Sequence, residues 1–246
     1  FYVLGNDDFL GGTIMPAILK WTNFNSENIS SITCLVKSHT SKLNAEKRFL
    51  KFFKKYQNPI EKKIEIKTYE QLNKSISYDC AIIAIPEEFH LDCLKSIAKN
   101  TKEIICVKPF TKNKEEVLEA YNVAKTNGNN IFIDFHKRFD ESNIEFIRNA
   151  SNVIHSDGVF NFSYGQKVEM PFNYFQKWSN KSNPFQYLAP HYIDIITQIL
   201  KNSGVNLRNL KIVGSANYLT FKDKPDLISI ISCNLKLFNK DYCYLI

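Results

Sequence analysis

The sequence predicts an α/β fold, in which a doubly wound parallel sheet is followed by a second, strand-rich α+β unit. Three observations lead to this prediction. Short apolar segments of strand length alternate with helix-like segments through the first half of the chain. One of these segments, "CAIIAI" at residues 80–85, is almost continuously apolar, which is typical of a central strand covered on both faces. Beyond about Lys137 the pattern changes to β-like segments around one apolar helix.

The predicted strands of the first half share an apolar, partly β-branched composition, and helix-like segments separate them. In chain order these strands lie within residues 1–5, 30–37, 62–69, 79–86, 103–109 and 131–139. Parallel strands need crossover connections of this kind, so the order predicts a doubly wound sheet. The lysine-rich run from Lys42 falls in one of the crossovers.

That basic run raises the question of nucleic-acid binding, because the chain carries a formal net charge of +7. Apolar side chains recur at near-helical spacing within the run, at Leu43, Phe49, Leu50 and Phe53. This spacing favours the solvated face of an amphipathic helix. No RNA- or DNA-binding motif accompanies the charge, so we predict no nucleic-acid partner.

The second unit is predicted from a helical stretch at residues 142–150, a β-like segment at 157–168, an apolar helix and two further β-like segments at 210–221 and 227–238. We therefore divide the chain into residues 1–136 and 137–246. The chain ends on the apolar run "YCYLI", which suggests that the second unit is truncated.

The six cysteines form no CxxC pair, and three of them lie in or beside apolar runs. This pattern favours buried free thiols in a reducing compartment and disfavours a metal site. No window approaches the roughly 18 apolar residues that span a bilayer. We predict a cytoplasmic protein without a metal and without a membrane partner.

Glycines are scarce, yet Gly5, Gly11 and Gly12 fall between the first predicted strand and the first helix. A dinucleotide-binding fold places its phosphate loop there, although a strict GxGxxG is not matched. The segment therefore predicts either a lengthened phosphate loop or an ordinary tight turn. After the second predicted strand, Lys37 and Ser38 stand where NAD binders carry an acid, so NADP is favoured over NAD, unless Lys37 is merely solvated.

Lys108 is the most distinctive catalytic candidate on local grounds. Pro109 biases the residue before it toward extended angles, so Lys108 should finish a strand at the carboxyl edge of the sheet. A lysine there can donate hydrogen bonds to a substrate oxygen. A solvated lysine at a strand end is the alternative.

Several segments together resemble the glucose–fructose oxidoreductase, inositol dehydrogenase and MocA (Gfo/Idh/MocA) family. These segments are a strand ending "AIP" followed by "EEFHLDCL", then "EIICVKPFTKNKEEVLEAYNVAKTNG" and "IFIDFHKRF". The resemblance covers about residues 1–200. It implies an N-terminal Rossmann domain that binds NAD or NADP. It also implies a C-terminal domain on an open, largely antiparallel sheet that often mediates homo-oligomers, and oxidation or reduction of a sugar or polyol carbon.

The resemblance also implies roles for individual residues. The Glu-Lys-Pro signature of the family is matched by Val107, Lys108 and Pro109, so the acid is replaced. The Asp-x-x-x-His signature is matched by Tyr187 and His191, which makes His191 the proton-exchanging group and Tyr187 a secondary acid. Because of Pro190, we predict that the helix carrying His191 begins near Ala189.

Residues outside these two signatures are also candidates for binding the cofactor or the substrate. Pro86 and His90 are expected near the cofactor, and His90 is more suited to the start of a helix than to chemistry. Trp178 and Gln186 lie in a segment suited either to a polyhydroxylated ligand or to a rigid connector.

Arg138 and Asp194 each have two alternative predicted roles. Arg138 could bind an anionic substituent or brace the domain boundary. Asp194 could orient the imidazole of His191 or cap a turn.

The leading hypothesis is an NAD(P)-dependent oxidoreductase acting on a sugar, polyol or nucleotide-sugar. The competing hypothesis is a binding or regulatory protein that kept the scaffold but lost catalysis. Its support is the irregular glycine loop, Val107 in place of the acid and Tyr187 in place of the aspartate.

Overall fold

The computed structural model of the 246-residue chain describes residues 14, 17, 18, 20, 21, 26–56, 63–72, 75–153, 184–209, 211–221, 224–238 and 243–245. The chain divides into two compact units, Phe1–Phe132 and Ile133–Ile246.

The first unit is built from parallel strands with intervening helices. Strand β1 (Ile32–Val36) pairs in parallel with β2 (Ile64–Thr68), with Ile32 opposite Ile64. Strands β3 (Tyr78–Ile83), β4 (Thr101–Val107) and β5 (Asn130–Asp134) form a sheet in that order, and β3 and β4 are parallel. The predicted parallel α/β arrangement is therefore confirmed. The strand predicted at residues 1–5 lies outside the described residues.

Helix α1 (His39–Tyr56) connects β1 to β2 and contains the basic run. Phe49 and Phe53 are buried and stack on each other, with ring centroids 5.8 Å apart. They pack into a core with Cys34 and Val36 of β1. The predicted amphipathic helix is confirmed, but two of the four apolar positions that suggested it, Leu43 and Leu50, are exposed.

Helices α2 (His90–Ile97) and α3 (Lys114–Asn127) complete the first unit. Helix α3 begins after Asn113, whose side chain accepts a hydrogen bond from the amide of Glu116, 2.9 Å away. It ends at Gly128, where φ is 70°, a left-handed conformation that glycine adopts without steric cost. The core of this part contains the fully buried Leu94 and Ile104. Residues at the carboxyl ends of β3 and β4 are thus held by well-packed elements.

The described cysteines with buried side chains should react slowly with alkylating reagents. Burial, with a smaller effect of Cys93, raises the pKa of the Cys106 thiol to about 12, whereas Cys80 is exposed. Burial is also the main cause that raises the pKa of Cys80, followed by Glu103 and Asp79. Since the thiolate is the reactive form and needs access to reagent, Cys80 should label at least about tenfold faster than Cys106.

A short iodoacetamide pulse at neutral pH, followed by mass spectrometry of the peptides, measures these rates. Labelling in urea serves as the control, because Cys80 and Cys106 should then react alike. Equal rates in the folded protein would contradict the placement of Cys106 inside the sheet.

The second unit contains helices α4 (Glu141–Val153) and α5 (Pro184–Asn202). Its strands β6 (Lys211–Phe221), β7 (Lys224–Phe238) and β8 (Cys243–Leu245) pair in antiparallel fashion, in that order. Ile147 of α4 packs against Ile195 and Ile199 of α5 in a common core. The β-like segment predicted at residues 157–168 lies outside the described residues.

The predicted start of α5 near Ala189 is wrong, since the helix begins at Pro184 and contains Pro190 in its interior. Pro184 takes the first helical position, where a missing N–H costs nothing. Pro190 removes one hydrogen bond, to the carbonyl of Gln186, and the helix continues because its later turns bury Ile195 and Ile199. Tyr187 and His191 therefore belong to one helix. No helix among the described residues is long and apolar enough to cross a membrane.

Candidate functional site

The carboxyl ends of β3 and β4 lie side by side at one edge of the first unit's sheet. The strands are parallel neighbours, with Ile83 opposite Cys106 near their ends. Pro86 follows β3, and Lys108 follows β4 directly. Ligands of doubly wound folds bind at this edge. Two of the predicted site residues are thus placed on the same edge by the topology.

Lys108 occupies the position that its proline predicts. It is the first residue after β4, its side chain is half-buried, and α3 begins only at Lys114. The peptide bond between Lys108 and Pro109 is cis. An ammonium group at this position can donate hydrogen bonds to a ligand oxygen at the sheet edge. Val107, which stands where the resemblance expects an acid, is also half-buried.

His90 is buried beside the loops that follow β3 and β4. Its side chain is only 1% exposed. Nδ1 lies 2.9 Å from the carbonyl oxygen of Phe110, and Nε2 lies 2.7 Å from that of Ile85. The ring nitrogens thus face main-chain carbonyls, and the cofactor contact predicted for His90 stays a prediction.

At the end of β1, Ser38 is the N-cap of α1. Its hydroxyl oxygen accepts a hydrogen bond from the amide of Ser41, 3.2 Å away, and lies 3.0 Å from the hydroxyl of Ser41. Lys37 is exposed beside it, and the first turn of α1 contains no acidic residue. A cation, a hydroxyl and a helix N-terminus without a carboxylate suit an anionic group.

In the second unit, His191 lies near the start of α5 and is 6% exposed. Its ring meets the ring of His136 edge to face, with centroids 4.5 Å apart and planes inclined by 68°. His136 follows β5, and its Nδ1 lies 3.8 Å from Oδ2 of Asp134 at the end of that strand. The structure therefore brings two imidazoles and a carboxylate together.

The sequence reasoning missed His136. The signal that could have found it is positional, because His136 lies near the end of the predicted sixth strand, residues 131–139, where such folds bind ligands. Its neighbour in space, His191, is 55 residues further along the chain. No feature of the local sequence predicts the contact between His136 and His191.

Arg138 and Asp194 form an ion pair with two hydrogen bonds. Nε of Arg138 donates to Oδ2 of Asp194 over 2.8 Å, and a terminal guanidinium nitrogen donates to Oδ1. Asp194 is 7% exposed, and the guanidinium also lies over the ring of Phe135. The carboxylate of Asp194 is thus engaged by Arg138 within the second unit. The roles predicted for Arg138 in binding an anionic substrate group and for Asp194 in orienting His191 stay predictions.

The remaining predicted residues are described partly or not at all. Gly5, Gly11, Gly12 and Trp178 lie outside the described residues. Gln186 and Tyr187 lie on α5, four residues or fewer before Pro190. A helical separation of four residues places Tyr187 and His191 on the same face of α5.

The sequence model of a family described as "Oxidoreductase family, NAD-binding Rossmann fold" (GFO_IDH_MocA) matches residues 11–135, just over half of the chain. The chain belongs to the Gfo/Idh/MocA family. The resemblance seen in the sequence is thereby confirmed, and so is the Rossmann-type fold of the first unit. No curated protein matches the sequence significantly.

Solved structures of oxidoreductases share the fold at low sequence identity. A myo-inositol 2-dehydrogenase from Lactobacillus plantarum matches with a TM-score of 0.60 at 17% identity, over 87% of this chain and 60% of that one. An oxidoreductase from Agrobacterium radiobacter, in complex with NAD+, L-tartaric acid and magnesium, gives 0.58 at 14%, over 86% and 57%. An aldose-aldose oxidoreductase from Caulobacter crescentus, complexed with glycerol, gives 0.56 at 14%, over 88% and 61%. The chain spans about 60% of the length of these relatives.

Described residues suit the anionic phosphates of a dinucleotide at the carboxyl ends of β1, in the β1–β2 sheet, and of β4, in the β3–β4–β5 sheet. Lys37 and the hydroxyl of Ser38 sit beyond β1, and no carboxylate stands in the first turn of α1 to repel a phosphate. Lys108 lies at the end of another strand of the same unit. Among the described residues, no cluster of three or more side chains could hold a metal ion.

Proposed function

We propose that the protein is an NAD(P)-dependent oxidoreductase, a dehydrogenase or reductase acting on CH–OH groups. It would transfer a hydride between nicotinamide and a carbinol or carbonyl carbon of a sugar, polyol or nucleotide-sugar. The observation that carries the proposal is Lys108, half-buried directly after β4 at the ligand-binding edge of a Gfo/Idh/MocA Rossmann fold.

The chain's own residues have distinct tasks in this proposal. The nicotinamide, when bound, supplies or accepts the hydride. Lys108 polarises the substrate oxygen by hydrogen bonding, and His191 exchanges the hydroxyl proton. Tyr187, on the same face of α5 as His191, is a secondary acid. Trp178 and Gln186 would contact the polyhydroxylated part of the substrate.

The architecture proposed for the whole protein follows the same family relationship. We assign residues 1–136 to cofactor binding and residues 137–246 to substrate binding and oligomerisation. Strands β6–β8 would belong to an open, largely antiparallel sheet through which copies of the chain associate. The proposed location is the cytoplasm, in keeping with the free cysteines among the described residues.

The cofactor preferred by this edge is NADP. A charge-assisted hydrogen bond contributes about 1.5–3 kcal/mol, so Lys37 should make NADPH bind at least about tenfold more tightly than NADH. Fluorescence titration of the protein with each cofactor measures the two dissociation constants. Lys37→Ala should reduce the ratio toward one, whereas Lys47→Ala, at an exposed lysine within α1, should leave it unchanged.

The titration and a turnover assay together test the function. Binding of either cofactor, followed by hydride transfer with one member of a panel of sugars, polyols and nucleotide-sugars, is the expected result. Tighter binding of NADH than NADPH would overturn the cofactor preference alone.

A second candidate function is a binding or regulatory protein that keeps the fold without catalysis. The observation that favours it is Val107, an uncharged side chain beside Lys108 where the family signature has an acid. A valine cannot provide the carboxylate that the family signature places next to the lysine. Failure of both cofactors to bind, or binding without turnover across the panel, would favour this candidate.

A further inference from the structure

His90 joins two loops at the ligand-binding edge of the first unit. The carbonyl of Ile85 belongs to the loop after β3, and the carbonyl of Phe110 belongs to the loop after β4. The ring nitrogens lie 2.7 Å and 2.9 Å from these two oxygens, and the ring is almost completely buried. Such distances are those of well-formed hydrogen bonds. One side chain therefore spans both loops.

The number of hydrogen bonds that His90 donates depends on the protonation state of its imidazole. Either neutral tautomer donates its single N–H to one of the two carbonyls, and a doubly protonated ring donates to both. A buried carbonyl that loses its donor costs about 1–3 kcal/mol. Loss of the donor to either carbonyl is therefore costly, and only the doubly protonated ring donates to both loops at once.

The loop that carries Lys108 has separate anchors along its length. Its start is held by β4, whose Ile104 and Cys106 are fully buried. Its end is held at the start of α3, where the amide of Lys112 donates to Oε2 of Glu116 over 3.1 Å and Asn113 caps the helix. Between these anchors, His90 holds the carbonyl of Phe110, two residues after Lys108.

The anchor on the other side of His90 is rigid as well. His90 is the first residue of α2, and the fully buried Leu94 lies one turn further along the same helix. The imidazole therefore fixes the segment that follows Lys108 relative to α2 and to the loop after β3. A displacement of about 1 Å at a reacting group can cost 10²-fold in rate.

We propose that His90 is a positioning residue, which sets the placement of Lys108 against the substrate oxygen by clamping the Lys108–Phe110 segment to the β3 loop. The inference rests on the proposed function, in which Lys108 acts on that oxygen. It assigns His90 no contact with cofactor or substrate. Its effect should therefore appear in kcat more than in KM.

Substitutions at His90 that differ in donor capacity test the clamp. His90→Phe fills the space without a donor and should lower kcat about 10- to 100-fold, with KM changed less than about threefold. His90→Gln offers an N–H donor again and should recover part of kcat. Leu94→Val is the matched control, because it perturbs the same helix without touching the clamp, and should lower the melting temperature while kcat stays within about twofold.

Two further measurements separate the clamp from a general structural effect. If His90 acts through Lys108, the double variant His90→Phe/Lys108→Ala should be no slower than Lys108→Ala alone. Hydrogen exchange followed by mass spectrometry should show faster exchange of residues 105–112 in His90→Phe and unchanged exchange there in Leu94→Val. This second readout needs no substrate, so it tests the clamp even if the wild-type protein shows no turnover.

The possible results test the positioning role, the clamp and the proposed function separately. Additive losses in the double variant, or full kcat in a folded His90→Phe protein, would overturn the positioning role. Unchanged exchange of residues 105–112 in His90→Phe would overturn the clamp itself. Absence of turnover in the wild type, with faster exchange in His90→Phe, would instead count against the proposed function and retain the clamp.

Discussion

Replacing Lys108 by alanine should lower kcat/KM by about 10²- to 10⁴-fold with any substrate that the wild-type protein turns over. The reason is the placement of Lys108, half-buried directly after β4 at the edge where doubly wound folds bind ligands. Removing it leaves the substrate oxygen without this donor as charge develops on it, a loss felt more in the transition state than in the ground state. The measurement is steady-state kinetics with NADPH or NADP+ and the best substrate of the panel.

Lys102→Ala is the matched control for this experiment. Lys102 lies on the same strand and is exposed, so its removal tests the loss of a positive charge from β4 without touching the sheet edge. Its kcat/KM should stay within about twofold of the wild type, as surface substitutions usually do. His191→Ala should also lower kcat, because the proton-exchanging group is removed. Unchanged turnover in both Lys108→Ala and His191→Ala would refute the assignment of these residues.

Arg138→Met should lower the free energy of unfolding by about 1–3 kcal/mol, because it leaves the buried carboxylate of Asp194 without its partner, while the Arg138 side chain, 31% exposed, already contacts solvent. The carboxylate of Asp194 is 7% exposed, and Arg138 donates to both of its oxygens. Methionine keeps much of the side-chain volume, so the loss comes mainly from the stranded charge. Urea unfolding followed by circular dichroism measures the change.

The same ion pair offers two controls. Arg148→Met removes an exposed arginine from α4 of the same unit and should change the free energy of unfolding by less than about 0.5 kcal/mol. The double variant Arg138→Met/Asp194→Leu removes both charges and should recover most of the stability lost in the single variant. A loss below about 1 kcal/mol in Arg138→Met would show that the pair is solvated in the folded protein.

The sequence was most informative where local chemistry decides structure. Pro109 ends β4 and keeps Lys108 out of the following helix, and the observed strand ends at Val107. The alternation of apolar and helix-like segments predicted a parallel sheet, and β3 and β4 pair in parallel. These features depend on backbone propensities and on the spacing of apolar residues. Both are set by residues that are neighbours in the chain.

Errors arose where a local rule met a stronger packing effect. Pro190 predicts the start of a helix, yet α5 begins at Pro184, because burial of Ile195 and Ile199 outweighs one missing hydrogen bond. Leu43 and Leu50 match the helical period of α1 and are nevertheless exposed. Apolar residues have the same helical spacing on the predicted and the observed faces of α1. Spacing alone therefore could not show which face is buried.

By itself, the sequence determined the family, the parallel α/β core and the position of Lys108 at a strand end, because each of these rests on residues close together in the chain. The tertiary structure alone decided the partners of polar side chains. His90 bonds to Phe110, 20 residues away, and Arg138 pairs with Asp194, 56 residues away. Hydrogen bonds and ion pairs need particular distances and angles, and folding sets these between residues that no spacing in the sequence connects.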